Sequence, residues 1–501
     1  MINEKWQQTV NNGAAAFKDK RYADAEVLMR EALQEAERLQ DELLVAVSLD
    51  NLGEVYFEQS KLKEAEPVYQ RALAIRERRL DPGHSDIVAS LNNLSALYFY
   101  QGKHAQAEPI CKQLIEIYEK VLGVEHPEVA TGINNLGLLC AAQKKYPEAE
   151  THFRRALAMR QQSLGPEHPE VGNTLAHLGN VYLEQTRYGD AVTVYKRALT
   201  ILEAALGQDH TEVANLLINI VDGLEKDQQF DEAELLYQRV LSAKELALGP
   251  AHHEVGQTLE KLAKFHTKQG KYPEAERTYK RLITMKERLH GRQHAQVAAQ
   301  LANMATLYDV QGRFQQAETL LLEALVIYEK ACIAGHPSIV AINKNLAEFY
   351  HVHHRYNKAE PYWRKVATIK EEAAGFEHAE VLSCNFELAV CLIHQSKHAE
   401  GRKVLENVLS AEEKVYGPES PEVANVLSTL AQTLKDEGKY EQAEPLFQRA
   451  MDIKIKALGP KHPDLKSTLE GYADLLSRTY REAEAEHFKE AARSLSLVHR
   501  K

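Results

Sequence analysis

A unit of 42 residues, repeated without insertion or deletion, leaves this chain little freedom in how it can fold. The stretch from His126 to Glu167 begins His-Pro-Glu-Val, and the same tetrapeptide returns at His168. The slot of His126 is filled in the other copies by His84, His168, His210, His252, His294, His336, His378, Ser420 and His462. A fixed period of roughly 20 to 50 residues marks a solenoid, in which each unit buries its apolar face only against its neighbours.

Within one copy, Val129, Ile133, Leu136, Leu139 and Cys140 lie on a stripe of period 3.6. The polar turn Gln143-Lys144-Lys145 is followed by a second stripe through Ala149, Phe153, Ala156, Leu157 and Met159. Each copy therefore predicts a helical hairpin. Leu122-Gly123 and Leu164-Gly165 close the second helix, with glycine expected to take the left-handed conformation past its end. Pro127 or Pro169 opens the next helix where a missing N–H costs nothing, and Glu128 or Glu170 faces the positive end of the helix dipole.

Leu136-Gly137, the Tyr-x-x-Ala of Tyr146 to Ala149, Phe153 and Ala156 have the spacing of the tetratricopeptide repeat. The 42-residue form, with its LG-x-x-HP-x-V joint and LNNL helix, resembles the repeat of kinesin light chains and their bacterial relatives, and the resemblance covers nearly the whole chain. It implies an all-α fold, a right-handed superhelical solenoid of stacked antiparallel helix pairs. The small slot of the second helix holds Ala65, Ala107, Ala149, Ala191, Ala233, Ala275, Ala317, Ala359, Gly401 and Ala443. Four residues on, the large slot holds Tyr69, Cys111, Phe153, Tyr195, Tyr237, Tyr279, Leu321, Trp363, Leu405 and Phe447.

Residues 1–41 read as an N-terminal capping pair, with Ala25 lying 40 residues before Ala65 and a polar first helix that includes Asn3, Glu4 and Lys5. Residues 42–461 give ten full repeats, and 462–501 a last pair whose charged helix EAEAEHFKEAAR serves as the C-terminal cap. One elongated body is expected, because a solenoid grows by stacking. The net charge of −11 argues against a nucleic-acid or anionic-membrane partner. Cys111, Cys140, Cys332, Cys384 and Cys391 occupy core-like slots with no C-x-x-C pair, the usage of a reducing compartment. With neither an apolar leader nor a run of roughly 18 apolar residues, a cytoplasmic location is expected.

The histidine row invites an enzymatic or metal reading, but one member per repeat sets its imidazoles roughly 8–10 Å or more apart, too far to share a zinc. Ser420 in the same slot points to helix capping instead. His351, His353, His354, His394 and His398 could be brought together by stacking, yet no carboxylate or cysteine at ligand spacing completes a site. Neither a phosphate loop, a nucleophile elbow nor a dinucleotide fingerprint occurs. No cofactor and no catalysis are expected. On the second helices, a basic row (Arg71, Arg155, Arg197, Arg239, Arg281, Lys365, Arg449) faces an acidic one (Glu66, Glu108, Glu150, Glu234, Glu276, Glu318, Glu360, Glu444). Pairs such as Glu108 with Lys112 have the favourable i,i+4 order of a solvated face.

The first helices recur in asparagine, a mediocre residue in a helix interior. Asn51, Asn93, Asn135, Asn219, Asn303 and Asn345 suit either hydrogen bonds between hairpins or ligand contact, and Asn92, Asn134, Asn173, Asn180 and Asn215 favour ligand contact. In tetratricopeptide proteins the first helices line the concave face, so the resemblance implies a scaffold or adaptor holding peptide segments of partner proteins, whose backbones an amide can both donate to and accept from. A regulatory sensor for a small molecule or signalling peptide is the alternative, and self-association stays open.

Overall fold

The computed structural model describes residues 4–208, 210–333 and 335–498, and every regular element among them is a helix. Asn3 and residues 499–501, assigned above to the two caps, lie outside the described residues. The chain divides into two compact units, Met1–Thr258 and Leu259–Lys501. The first holds α1 (Glu4–Lys18), α2 (Tyr22–Arg38), α3 (Glu42–Glu58), α4 (Leu62–Arg79), α5 (Ser85–Tyr100), α6 (His104–Leu122), α7 (Pro127–Ala142), α8 (Tyr146–Leu164), α9 (Pro169–Glu184), α10 (Tyr188–Leu206), α11 (Thr211–Lys226) and α12 (Phe230–Leu248). The boundary falls inside α13 (His253–Lys268). The second unit continues with α14 (Tyr272–His290), α15 (Ala295–Val310), α16 (Phe314–Ala331), α17 (Pro337–Val352), α18 (Tyr356–Ala374), α19 (Ala379–His394), α20 (His398–Tyr416), α21 (Pro421–Asp436), α22 (Tyr440–Leu458), α23 (Leu465–Arg478) and α24 (Glu482–Val498). Odd-numbered helices are the first of each hairpin and even-numbered ones the second.

Each hairpin closes on its small and large slots. The nine alanines of the small slot are wholly buried, and Phe153 and Tyr195 are the largest side chains with no exposure at all. Gly137 makes room for Phe153, since a Cβ there would sit 2.8 Å from the ring. Removing the ring leaves a cavity that rigid helices fill only in part, so Phe153→Ala should cost about 3–5 kcal/mol. Because a linear array couples only nearest neighbours, hydrogen exchange should show that loss as faster opening of α7 to α9, with α1 and α2 unchanged.

Eight of the nine histidines in the row cap a first helix; the ninth, His462, holds the turn just before α23, whose N-cap is Asp464. Each Nδ1 accepts from the backbone N–H two residues on, at 3.1–3.4 Å, and Ser420 Oγ does the same for Val423. These bonds satisfy donors that the first turn of a helix otherwise leaves unpaired. The closing glycines differ from expectation in one angle. Gly123, Gly165, Gly207, Gly249, Gly291, Gly375, Gly417 and Gly459 have φ of 82–93° but ψ of 153–161°, an extended positive-φ conformation rather than the left-handed helical one. That region is open essentially to glycine alone. Where glycine is missing, after α4 and α16, the helix stops a residue early and Leu80 or Cys332 turns the chain at negative φ. Cys332 is thereby half-buried at a helix end, not in the core.

The second apolar stripe is also narrower than the sequence suggests. Leu157 and Met159 are half-buried, while Arg160 beside them is buried. Its guanidinium donates to Thr174 Oγ1 at 2.7 Å and to the Glu170 carbonyl at 3.3 Å, tying α8 to the first turn of α9. Arg76 makes the same pair of bonds to Ser90 and Asp86, and Lys454 to Thr468 and Asp464. Lys244 instead meets the Glu254 carboxylate at 2.9 Å. In the joint from α20 to α21 this slot holds Glu412, whose Oε2 has no partner, and the position of the hydroxyl is taken by Val426.

Burial and the nearby Glu422 charge push the Glu412 carboxyl up to about 7. A carboxyl raised in the folded state keeps its proton where the unfolded chain has lost it, so folding is penalised as pH rises from the ordinary carboxylate range through about 7. Between pH 5 and 8 the α20–α21 joint should lose on the order of 2 kcal/mol. Thermal unfolding of Glu412→Gln should lack this dependence, and identical pH profiles for the two proteins would contradict it.

Candidate functional site

Two kinds of surface run along each unit, one built by the second helices and one by the first. The second helices carry the acidic and basic rows, which engage across hairpins as well as along a helix. Glu108 meets Lys112 four residues on at 2.7 Å and Lys145 of the next hairpin at 3.0 Å. Glu66 with Lys103, Glu150 with Arg187, Glu276 with Arg313, Glu318 with Arg355, Glu360 with Lys397 and Glu444 with Arg481 repeat the cross-hairpin pair at 2.6–3.0 Å. Five of the seven members of the basic row pair with acids of the preceding second helix: Arg71 with Glu37, Arg155 with Glu119, Arg239 with Glu203, Lys365 with Glu329 and Arg449 with Glu413. A recurring separation of 36 or 37 residues between opposite charges, 34 for Arg71 with Glu37, was the sequence signal for these pairs.

Lys112, Gln143 and Lys145 hold the Glu108 carboxyl down at about 2. A depressed carboxyl stabilises the fold above the ordinary carboxylate range and loses that contribution as pH falls toward 2. Exposed partners limit its size to about 1 kcal/mol. Urea unfolding at pH 6 and pH 3 should therefore show a smaller acid loss for Glu108→Gln than for the unaltered protein.

The first helices present the asparagines, and their placement divides them differently from the sequence reading. Asn92, Asn135, Asn180, Asn215 and Asn345 are exposed, and Asn51, Asn93, Asn173, Asn219 and Asn303 are half-buried. Asn134 is 5% exposed, and its Oδ1 lies 3.2 Å from Nδ1 of His177 on the next first helix, so it does not open to a ligand. His177 of α9 covers the first amide of the pair in α7, whereas the first amide of the pair in α5 is exposed; in α7 the exposed amide is Asn135. Asn180 is exposed yet occupied, accepting from Tyr195 Oη at 2.6 Å and from Asn219 Nδ2 at 3.3 Å. Asn303 donates to Glu260 and Gln300.

Between α5 and α7 these helices leave a cleft of about 340 Å³ floored by α6. Asn92 donates to Tyr118 Oη at 3.2 Å on one side of it. On the other, the Asn135 amide has no partner among the described residues. Phe99, Tyr100 and Leu138 add apolar surface, with Tyr100 67% exposed. In the second unit, Asn303 and Asn345 line a cleft of about 310 Å³ between α15 and α17. The cleft from α5 to α7 thus offers an unengaged amide beside exposed aromatic rings, a pairing that amino-acid spacing alone did not single out.

Three of the histidines gather on one ring: His354 meets Tyr356 Oη at 2.9 Å, His394 stacks on the Tyr356 ring, and His351 meets the edge of that ring while its Nδ1 lies 3.2 Å from Glu387 and 3.9 Å from Cys391 Sγ. His353 Nε2 lies apart, 2.7 Å from Asp309. No group of three or more side chains able to hold a metal ion is found among the described residues.

The tetratricopeptide repeat family matches residues 8–78, 86–162, 128–204, 211–287, 254–330, 379–456 and 429–496. No match is found among curated proteins. Among solved structures, similarity extends to BtubC (BKLC) from P. vanneervenii, at 21% identity over 45% of this chain and 91% of that one, with a TM-score of 0.39. A putative kinesin light chain of Podosopora anserina with nearly identical TPR-like repeats aligns at 21% identity over 40% of this chain and 95% of its own, with a TM-score of 0.36. Yeast Tom70 aligns at 15% identity over 99% of this chain and 97% of its own, with a TM-score of 0.35.

Proposed function

The chain belongs to the tetratricopeptide repeat family, a family of protein-interaction scaffolds, and from that premise we propose that it captures peptide segments of partner proteins along its first helices without catalysing a reaction. The observation that carries this reading is the cleft between α5 and α7, where the unpartnered Asn135 amide and the Asn92 amide flank the exposed rings of Phe99 and Tyr100. An amide offers both donor and acceptor to a main chain of any sequence. Aromatic surface beside it takes an apolar side chain of the same segment, the combination that anchors most peptide complexes. A cytoplasmic setting fits this reading. No described helix is long and apolar enough to cross a membrane.

The test is a crosslinking capture from native lysate with the unaltered chain and with Asn92→Ala/Asn135→Ala. Neither amide is buried, and alanine raises helix propensity, so the melting temperature should hold or rise. Partner affinity should fall by about 0.5–1.5 kcal/mol for each hydrogen bond lost. Unchanged capture, or a variant that melts several degrees early, would place the binding surface elsewhere.

A further inference from the structure

In the second unit a larger cavity, about 470 Å³, opens between α17 and α19 with α18 beneath it. Glu348 and His351 come from α17, Ser383 and Glu387 from α19, and Trp363 and Lys370 from α18. Its chemistry is unlike that of the α5–α7 cleft in two independent ways.

The first is Trp363, which fills the large slot of its hairpin. It is 4% exposed, and its indole N–H has no hydrogen-bond partner among the described residues. In two other hairpins the polar tip at this slot is engaged: Tyr195 donates to Asn180 and Tyr237 to Glu225, each at 2.6 Å. The counterpart of Asn180 in the Trp363 hairpin is Glu348, and the indole does not reach it. A buried donor without an acceptor is costly to keep, and a ligand that supplies one recovers that cost.

The second is charge. Burial and the neighbouring Glu348 push the Glu387 carboxyl up. His351, 3.2 Å away, is pushed down by burial and by His354, so a neutral imidazole faces that carboxyl. Lys370 is committed to Glu380, and Lys344 stands 3.6 Å from Glu348. Glu348 and Glu387 therefore face the cavity as neighbouring carboxyls, with a lysine beside Glu348 alone, and an entering cation relieves their repulsion.

We propose that this cavity is a subsite for a basic side chain, arginine in preference to lysine, of a bound peptide: its cation sits between Glu348 and Glu387, and a main-chain carbonyl of the same segment accepts from the Trp363 indole. Arginine is preferred because its planar fork can donate to two carboxylates at once. The proposal rests on the reading that the first helices take peptide segments, and it adds that a segment reaching the second unit carries a positive charge there.

The test uses the full chain labelled with 15N at its two tryptophans, Trp6 and Trp363, with Trp363→Phe to assign the indole resonances. Acetyl-Ala-Ala-Arg-Ala-Ala-amide should shift the Trp363 indole resonance saturably at millimolar concentration and leave that of Trp6 in place. The same peptide with Glu for Arg should not shift it, and n-butylguanidinium, which has no carbonyl, should bind without moving it as the peptide does. Glu348→Gln/Glu387→Gln should weaken the arginine peptide at least tenfold, while the Trp363 indole resonance of the unliganded double variant, unshifted and sharp, certifies the fold around the cavity. An unmoved Trp363 resonance, equal affinity in the double variant, or equal responses to the arginine and glutamate peptides would overturn the proposal. Asn92→Ala/Asn135→Ala should bind the arginine peptide normally. If that variant loses lysate partners while Trp363 never responds, the acidic subsite alone is refuted; if capture is unaffected and Trp363 responds, the α5–α7 cleft is refuted instead.

Discussion

The contact between a side chain no larger than alanine and a large apolar one, once in every hairpin, is what the other features of this protein depend on. Only when the second helix presents the fully buried alanine of its small slot can the two helix backbones approach closely enough for the large slot to fill the space between them. Packing at this density leaves little tolerance, which is why Gly137 stands where the Phe153 ring comes nearest. The histidine caps and closing glycines then fix where each helix begins and ends, so that the same contact recurs at the same spacing.

On that frame, polar interactions decide how one hairpin joins the next. Buried cations such as Arg160 reach the first turn of the following helix, and half-exposed pairs such as Glu108 with Lys145 bridge the second helices. Each surface pair contributes little. Their role in register is larger, because a hairpin shifted by one residue would leave Arg160 buried without Thr174. The joint at Glu412 lacks such a clamp: its Oε2 has no partner among the described residues, and burial and Glu422 push its carboxyl up.

The first helices take part in these joints through residues such as Thr174 and Asn134, and their remaining exposed positions differ from hairpin to hairpin. Amides and aromatic rings meet between α5 and α7, whereas carboxylates and an unpartnered indole meet between α17 and α19. One scaffold thus presents two chemically different clefts, with no change in backbone design.

By itself the sequence determined the fold class, the hairpin boundaries, the small and large slots and the capping role of the histidines. All of these follow from local preference and from a period that repeats ten times, so chance agreement at any one position is outvoted. It did not determine which asparagine of an LNNL pair faces outward. The two are adjacent, about 100° apart around a helix, and the side chain that the next first helix sets against them decides between them: His177 buries Asn134 and leaves Asn135 exposed. Nor could it show that the Trp363 indole lacks an acceptor among the described residues. Those are decided by distances between helices far apart in the chain, which only the packed structure sets.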